Sequence, residues 1–309
     1  MCGTSGGGFA LMSEAVGLAG MLETGIVVVE SQRGGPSTGL PTKYEQGDLW
    51  QMVGASQGDF PKAILAPVDI VDAYASTGEA LNIAERYQMP VILASDFYLS
   101  EHMETVDELP TVAAVDRGTY ARGGDGPFKR YAITSNGVSP RSVPGMKGMA
   151  HVAGSDEHDE HGNLISDVYA GLPESVAVRN RMMEKRMRKM DALLDELPPP
   201  ELRGSERADV TIVGWGATKN IIEEALELAD LRAAHAQFKY ILPFHDDVAN
   251  SLLKDRPFVV VEGNFTGQFQ QYLRSRTGLQ AAGAVRRYDG ELFTPAELAG
   301  RLKEVVASL

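Results

Sequence analysis

The sequence has very little cysteine: its 309 residues include one, at position 2. A single thiol cannot form a disulfide framework within the chain, and it cannot by itself hold an iron–sulfur cluster or a cysteine-ligated zinc ion. Long apolar runs are also missing, since no stretch approaches the roughly 20 apolar residues of a membrane helix. No basic segment precedes the first apolar residues, as it would in a signal peptide. These features favour a reduced, cytoplasmic compartment and argue against a membrane partner.

Positive charge is also in short supply. Lys and Arg together number 29 against 42 Asp and Glu, which gives a net charge of −13 and a pI of about 5.0. Nucleic acids and anionic membranes need a basic face, so neither is expected as a partner. The remaining composition, 43% hydrophobic and 23% charged, is that of an ordinary globular protein long enough for two domains.

Five short apolar runs predict strands of parallel sheets, because they are rich in β-branched residues and do not alternate with polar ones. They are IVVVE (26–30), AILAP (63–67), PVILAS (90–95), VTIVGW (210–215) and FVVVEG (258–263). Helix-like segments separate them, so the predicted fold class is α/β. A proline-rich, charged stretch at 197–208 predicts a linker between domains at 1–200 and 208–309, and residues 100–172 form a long, glycine-rich excursion within the first domain.

A long helix is predicted before the linker. Its apolar residues recur at helical spacing, at Met183, Met187, Met190, Leu194 and Leu197. Its basic residues are expected on a solvated face: Arg179, Arg181, Lys185, Arg186, Arg188 and Lys189.

Two glycine-rich turns open helices. The first, TSGGGF (4–9), frees backbone N–H groups that could face an anion, although a purely structural turn is favoured. Such turns normally follow a buried strand, but only Met1 and Cys2 precede this glycine-rich segment, which begins at Gly3. The first sheet is therefore expected to lack its leading strands. The second, GWGATK (214–219), lacks the third glycine of a dinucleotide fingerprint and is also predicted to be a tight turn.

The stretch GSDEHDEHG (154–162) has the composition of a metal site. Adjacent polar residues cannot all face one ion, however, and ligands usually come from separated, rigid elements. A capped turn with solvated charges is therefore expected, and a free-standing metal hydrolase is the weaker alternative.

The polar stretch ESQRGGPSTGLPTK (30–43) directly follows a buried strand. In open α/β sheets ligands bind beyond the carboxyl ends of strands, and Arg33 could hold a carboxylate there with two parallel hydrogen bonds. Ser37, Thr38 and Thr42 add hydroxyl groups. The residues alone leave two alternatives open, a carboxylate-binding loop and a long surface loop.

The run TSGGGFALMSEAVGLAGMLETGIVVVESQRGGPSTGLPTKYEQGDL closely resembles the α subunit of 2-oxoacid:ferredoxin oxidoreductases, above all the 2-oxoglutarate type. The resemblance continues through PVILASD, PGMKGMAHVAGSDEHDEHG, VGWGAT and VVEGNFTGQ, and so covers essentially the whole chain. It implies a pyrimidine-type thiamine diphosphate-binding domain that is N-terminally incomplete. A smaller α/β domain like the C-terminal domain of transketolase would follow it.

The resemblance also implies an activity. Such enzymes convert a 2-oxoacid, here expected to be 2-oxoglutarate, and coenzyme A to acyl-CoA and CO₂, with ferredoxin as electron acceptor. Thiamine diphosphate would be shared with a β subunit, which would bring Mg²⁺ and an iron–sulfur cluster, so that this chain holds no metal. Two alternatives stay open: specificity for pyruvate or branched-chain 2-oxoacids, and a truncated, non-catalytic assembly subunit.

Residue roles carry over by position. Arg33 would bind the substrate carboxylate, Thr42 would lie near the distal end of the substrate, and the neighbouring Ser37 and Thr38 would assist. The turn residues Thr4, Ser5 and Gly6 would contact the cofactor. The activating glutamate of the family lies in a segment upstream of this turn, so no catalytic residue is expected in this chain.

Overall fold

Two sheets with helices packed on them form the protein. The computed structural model describes residues 1–111, 113–122, 126–165, 173–204 and 207–309. Both sheets are built mainly from parallel strands, which confirms the predicted α/β class. All five strands predicted from apolar runs are present.

The first sheet has six strands in the order β1-β2-β5-β4-β9, with β3 paired to β2. Its strands are β1 (Cys2–Thr4), β2 (Ile26–Gly34), β3 (Leu40–Tyr44), β4 (Ala63–Leu65), β5 (Pro90–Asp96) and β9 (Tyr240–Leu242). β1, β2, β5 and β4 run parallel, whereas β3 and β9 are antiparallel to their neighbours. β1 directly precedes the glycine-rich turn, so that turn leaves a short strand after all.

The second sheet has five strands in the order β11-β10-β7-β8-β6. They are β6 (Leu202–Gly204), β7 (Val210–Trp215), β8 (Ala233–Phe238), β10 (Phe258–Glu262) and β11 (Gly283–Arg286). Only β6 is antiparallel to its partner. The central strands of the second sheet, β7 and β10, are wholly buried. Burial on both faces explains why their residues are apolar and do not alternate with polar ones.

The helices connect the strands of both sheets. Their bounds are α1 (Gly6–Met21), α2 (Leu49–Gly54), α3 (Ile70–Tyr87), α4 (Phe97–Glu101), α5 (Pro173–Leu194), α6 (Lys219–Ala229), α7 (Asp246–Leu253), α8 (Gln268–Thr277) and α9 (Pro295–Ala307). A 3₁₀ turn, Gly216–Thr218, precedes α6. Across the ranges described, no helix is both long enough and apolar enough to cross a bilayer.

Among the described residues, the largest apolar core runs through both sheets. Val28 and Ile92 of the first sheet belong to the same buried cluster as Trp215 and Phe238 of the second. Strand pairing, like the shared apolar core, joins the two sides of the predicted linker. β6 lies within the linker and pairs with β8, and β9 follows the linker but pairs with β4 of the first sheet. Residues 205 and 206 of the linker lie outside the described part of the chain. The division into 1–200 and 208–309 stays a prediction.

The prediction for α5 was wrong for part of its basic face, although Arg179 and Arg181 are exposed as expected. Lys185, Arg186 and Lys189 are almost wholly buried, at 0%, 1% and 0% exposure. Met187, placed in the apolar stripe, is 37% exposed. The helix is rotated because buried acidic partners from distant parts of the chain meet its cations.

Glu23 is the main partner. Its carboxylate accepts hydrogen bonds from Lys185 Nζ at 2.5 and 2.7 Å, and lies 2.7 Å from Lys189 Nζ. Burial alone would raise the pKa of Glu23, but the charges of Lys189 and Lys185 lower it to about 2. A second buried pair joins Arg186 to Glu157 at 2.7 and 2.8 Å. These contacts tie α5 to the segment between α1 and β2 and to the turn at 154–162.

We expect Glu23→Gln to lower the free energy of unfolding by about 3 to 5 kcal/mol, because it leaves two buried ammonium groups without a counter-ion. Urea unfolding at neutral pH measures the loss. Glu196→Gln is the control, since the pair of Glu196 with Arg86 is 47% and 38% exposed and should matter by less than about 1 kcal/mol.

The same comparison has a pH signature. The lowered pKa of Glu23 gives stability that is present above its ordinary value of 4.5 and is lost as the pH falls toward about 2. The deficit of the variant should therefore shrink in acid. Equal, small losses in both variants would contradict the role assigned to Glu23.

Candidate functional site

The loop after β2 folds back as a hairpin. β3 pairs antiparallel with the end of β2, where Arg33 lies opposite Tyr44. Gly39 has a φ of +48°, and a Cβ there would collide with the carbonyl oxygen of Gly34. Part of the unusual composition of this stretch is thus required by the turn itself.

Arg33 joins the hairpin to the first glycine-rich turn. Its guanidinium donates one hydrogen bond to the Pro41 carbonyl at 2.9 Å and one to Ser5 Oγ at 2.7 Å. Two segments that the sequence analysis treated separately therefore meet at one side chain. A guanidinium has five N–H donors, so these two bonds leave it able to bind a carboxylate.

A cleft of about 430 Å³ opens beside Arg33. Its walls come from the turn, the hairpin and the start of α2: Ser5, Gly6, Gly7, Ala10, Arg33, Gly34, Gly35, Pro36, Ser37, Thr38, Asp48 and Gln51. This volume lies in the range of about 300–1,000 Å³ that is usual for small-molecule and cofactor sites. Five of the residues singled out from the sequence, Arg33, Ser37, Thr38, Ser5 and Gly6, are among them.

The other two singled-out residues lie outside the cleft wall. Thr42 is exposed on β3. Thr4 turns its hydroxyl to the Ser5 carbonyl at 3.3 Å. Neither observation tests the role that the resemblance implies for Thr42 or for Thr4.

The N-terminus of α1 faces the cleft. Ser5 is the N-cap residue, but its hydroxyl makes no capping hydrogen bond and instead accepts from Arg33. The first N–H groups of a helix have no intrahelical partner, and they favour negative charge. Together with Arg33, they make this side of the cleft suited to an anion.

Gln46 ties the strand that follows the hairpin turn to the second sheet. Its side chain donates to the Trp215 carbonyl at 3.2 Å and accepts from the Gly263 N–H at 3.1 Å. Its backbone N–H donates to Gly263 at 2.6 Å, and its carbonyl accepts from Asn264 at 3.0 Å. All of these groups are buried, so the bonds are well protected from water.

Further contacts extend this attachment. The Tyr44 N–H donates to the Gly290 carbonyl at 3.2 Å, and Lys43 pairs with Glu291. Gln268 donates to the Gly47 carbonyl at 2.6 Å. The cleft wall is thus held in place by both sheets.

Buried acids lie behind the cleft, and the sequence analysis missed them. Glu30, on β2, is 0% exposed, and Asp96, at the end of β5, is 2% exposed. Burial, followed by the negative charge of Asp48, raises the pKa of Glu30 to about 9, while Arg33 opposes the rise. Burial raises the pKa of Asp96 to about 7. The available signal was an acidic residue that directly continues an apolar strand, as in IVVVE and PVILASD.

The DEHDEH stretch is a turn, as expected, with Asp159 accepting from the N–H groups of His161 and Asn163. The expectation of solvated charges was wrong for Glu157 and His158. Glu157 pairs with Arg186, and the His158 ring is buried. Within the described ranges, no group of three or more His, Cys, Asp or Glu side chains could hold a metal ion.

The GWGATK stretch is the predicted tight turn between β7 and α6. Thr218 Oγ1 accepts from the Trp215 N–H at 3.0 Å and lies 2.9 Å from the Trp215 carbonyl oxygen. The hydroxyl is therefore used within the turn.

Comparisons with known proteins agree with this architecture. Residues 1–176 match the family described as pyruvate flavodoxin/ferredoxin oxidoreductase, thiamine diphosphate-binding. A solved structure of 2-oxoglutarate:ferredoxin oxidoreductase from Magnetococcus marinus, with 2-oxoglutarate, coenzyme A and succinyl-CoA bound, is 35% identical. It superimposes with a TM-score of 0.88 over 98% of this chain and 52% of that one.

Two relatives illustrate the range of lengths. The 2-oxoacid:ferredoxin oxidoreductase 1 subunit alpha of Sulfurisphaera tokodaii is 33% identical over 98% of this chain and 48% of its own length. The 2-oxoglutarate synthase subunit KorA of Methanothermobacter thermautotrophicus is 30% identical over 96% of this chain and 78% of its own length. The chain thus spans about half the length of several relatives that it matches.

The family match covers more than half of the residues, and the methanogen relative is matched over most of its length. Together with the parallel sheets and the arginine-lined cleft, these matches show that the chain belongs to the family of 2-oxoacid:ferredoxin oxidoreductase α subunits.

Proposed function

We propose that this chain serves in the oxidative decarboxylation of a 2-oxoacid to acyl-CoA and CO₂, with ferredoxin as electron acceptor. The observation that carries the proposal is Arg33, which lies at a strand end, lines an open cleft and has N–H donors to spare. We propose 2-oxoglutarate as the substrate, because a relative at 35% identity was solved with that molecule bound.

The role of Arg33 is orientation and charge. Two parallel N–H donors on a carboxylate fix both its position and its plane, which holds the adjacent keto carbon in one place. The N-terminus of α1 adds positive potential on the same side. Ser37 and Thr38, both in the cleft wall, offer hydroxyl groups to the rest of the substrate.

The cleft also suits thiamine diphosphate. Gly6 and Gly7 line it without side chains, and a Cβ on Gly7 would meet no atom within 4 Å, so space is open there. The backbone N–H groups of this turn, with the Ser5 hydroxyl, are the donors that would hold the cofactor. When bound, thiamine diphosphate supplies the electron sink for decarboxylation.

Completion of the site by a partner is part of the proposal. The printed name of the Sulfurisphaera relative is that of a subunit, and this chain has one cysteine. We therefore assign Mg²⁺ and the iron–sulfur cluster to a β subunit, with ferredoxin served through the complex. Coenzyme A would be the acyl acceptor, and the complex would work in the cytoplasm.

Arg33→Ala should raise KM for the 2-oxoacid and lower turnover in the complex reconstituted with its β subunit. A hydrogen-bonded charge contributes about 1.5–3 kcal/mol, so kcat/KM should fall on the order of 10- to 100-fold. Arg33→Lys keeps the charge but not the planar fork, and should recover only part of the loss. Lys303→Ala, on the exposed side of α9, is the control; an unchanged kcat/KM for Arg33→Ala would refute the assignment.

Thr42 and Thr38 can be separated by substrate choice. The resemblance predicts that Thr42→Ala alters the ratio of activities on 2-oxoglutarate and pyruvate. The structure instead favours Thr38 as the residue that contacts the distal end of the substrate, because Thr38 lines the cleft and Thr42 does not. Both variants should be assayed on a panel that also includes branched-chain 2-oxoacids. A ratio that changes only in Thr38→Ala would reassign the distal contact, and a ratio that changes in neither would remove both hydroxyls from specificity.

A further inference from the structure

Glu30 is a buried acid whose side chain lies within hydrogen-bonding reach of another acid, Asp48. It is 0% exposed, and among the described residues neither of its carboxyl oxygens accepts a hydrogen bond from an N–H or hydroxyl group. It lies in the middle of the first sheet, opposite Thr4 of β1 and Ala94 of β5. Buried carboxyls without such a donor are costly to a fold, and a group of this kind beside a cleft is a candidate for function.

Charged groups face Glu30 from three elements. Asp48 approaches from the start of α2, Arg33 from further along β2, and Asp96 from the end of β5. Asp48 has the strongest influence of the three, and it adds to burial in favouring the protonated form of Glu30. With a pKa of about 9, Glu30 is the neutral member of the pair at pH 7.

Asp48 connects this acid to the cleft. It lines the cleft wall, and a Cβ on Gly6 would come within 2.5 Å of its Oδ2 atom, so its carboxylate lies against the turn that opens α1. Its backbone N–H donates to Gln32 Oε1 at 3.1 Å, and Gln32 in turn donates to the Ser95 carbonyl at 3.1 Å. The carboxylate is therefore held between Glu30 and the cleft.

We propose that Glu30 and Asp48 share one proton and form the acid–base pair of the cleft. Asp48 is the group that contacts the bound ligand, and Glu30 is a positioning residue that stores the proton. The Glu30 O–H gives its proton to the Asp48 carboxylate, which passes it on to a basic atom of the ligand, so that both acids are then ionised; return of that proton by the same route restores the pair. The pair carries one negative charge before and after a complete cycle, so protons and charge balance.

The proton store can be tested without any assay of activity. Infrared spectroscopy of the complex at pH 7 should reveal the C=O band of a protonated carboxyl group that disappears in Glu30→Gln and persists in Glu101→Gln, an exposed acid on α4. In Asp48→Asn the loss of the neighbouring charge should move the titration of this band to lower pH. Absence of the band in the wild-type complex, or a titration unmoved in Asp48→Asn, would overturn the proposal.

Stability gives the second readout. A folded pKa of about 9 against an ordinary value of 4.5 means that stability is greatest below 4.5 and declines as the pH rises toward 9. Glu30→Gln is neutral throughout, so its stability relative to wild type should increase over this interval. A difference that does not change with pH would contradict the proposal.

Turnover tests the catalytic part, which rests on the proposed function. Glu30→Gln keeps the shape but cannot release the proton, so kcat should fall about 100-fold or more and the pH–rate profile should change. A purely structural residue would leave the profile unmoved, which would overturn the catalytic part. If the wild-type complex oxidises no 2-oxoacid, the proposed function fails, while the infrared and stability measurements still decide whether the proton is shared.

Discussion

The geometry of the cleft depends on the hydrogen bonds of Gln46. This one side chain bonds to the turn after β7 and to the loop after β10, while its backbone bonds to the same loop. The hairpin that carries Arg33 would otherwise be a long, polar loop at a sheet end, free to sample many conformations. Because the hairpin is attached to the second sheet, the entropy cost of ordering it is met when the chain folds. A ligand therefore binds to a site that is already formed.

Buried charge is the second organising feature. Glu23 neutralises two lysines of α5, Glu157 pairs with Arg186 on the same helix, and Glu30 lies behind the cleft wall that Asp48 lines. The first two groups are paired with opposite charge and fix a helix. The last brings two acids together, which a stable fold does not need. This contrast separates a structural cluster from the proposed acid–base pair.

The sequence predicted five of the strands, because apolar runs carry local signals, but it missed the remaining, shorter or more polar ones. It placed Arg33 in a loop, whereas β2 continues to Gly34 and Leu40–Tyr44 pairs with it as β3. It failed on α5, since periodicity treats every lysine as solvated, and the counter-ion Glu23 lies 162 residues away from Lys185. The roles of Gln46 and Asp48 arise from contacts with the end of β7, the loop after β10 and β2, which no local sequence pattern shows. Glu30 was visible only as the last letter of an apolar run.

The apolar core that runs through both sheets has a consequence for modularity. The covalent chain has a proline-rich stretch near residue 200, which is where a protein engineer would cut. Such a cut would separate β4 from β9, its antiparallel neighbour, and would divide the cluster that holds Val28 with Trp215. Each fragment would keep a smaller apolar cluster of its own but would lose its share of this common one, so the smallest unit that keeps the common core whole contains both sheets.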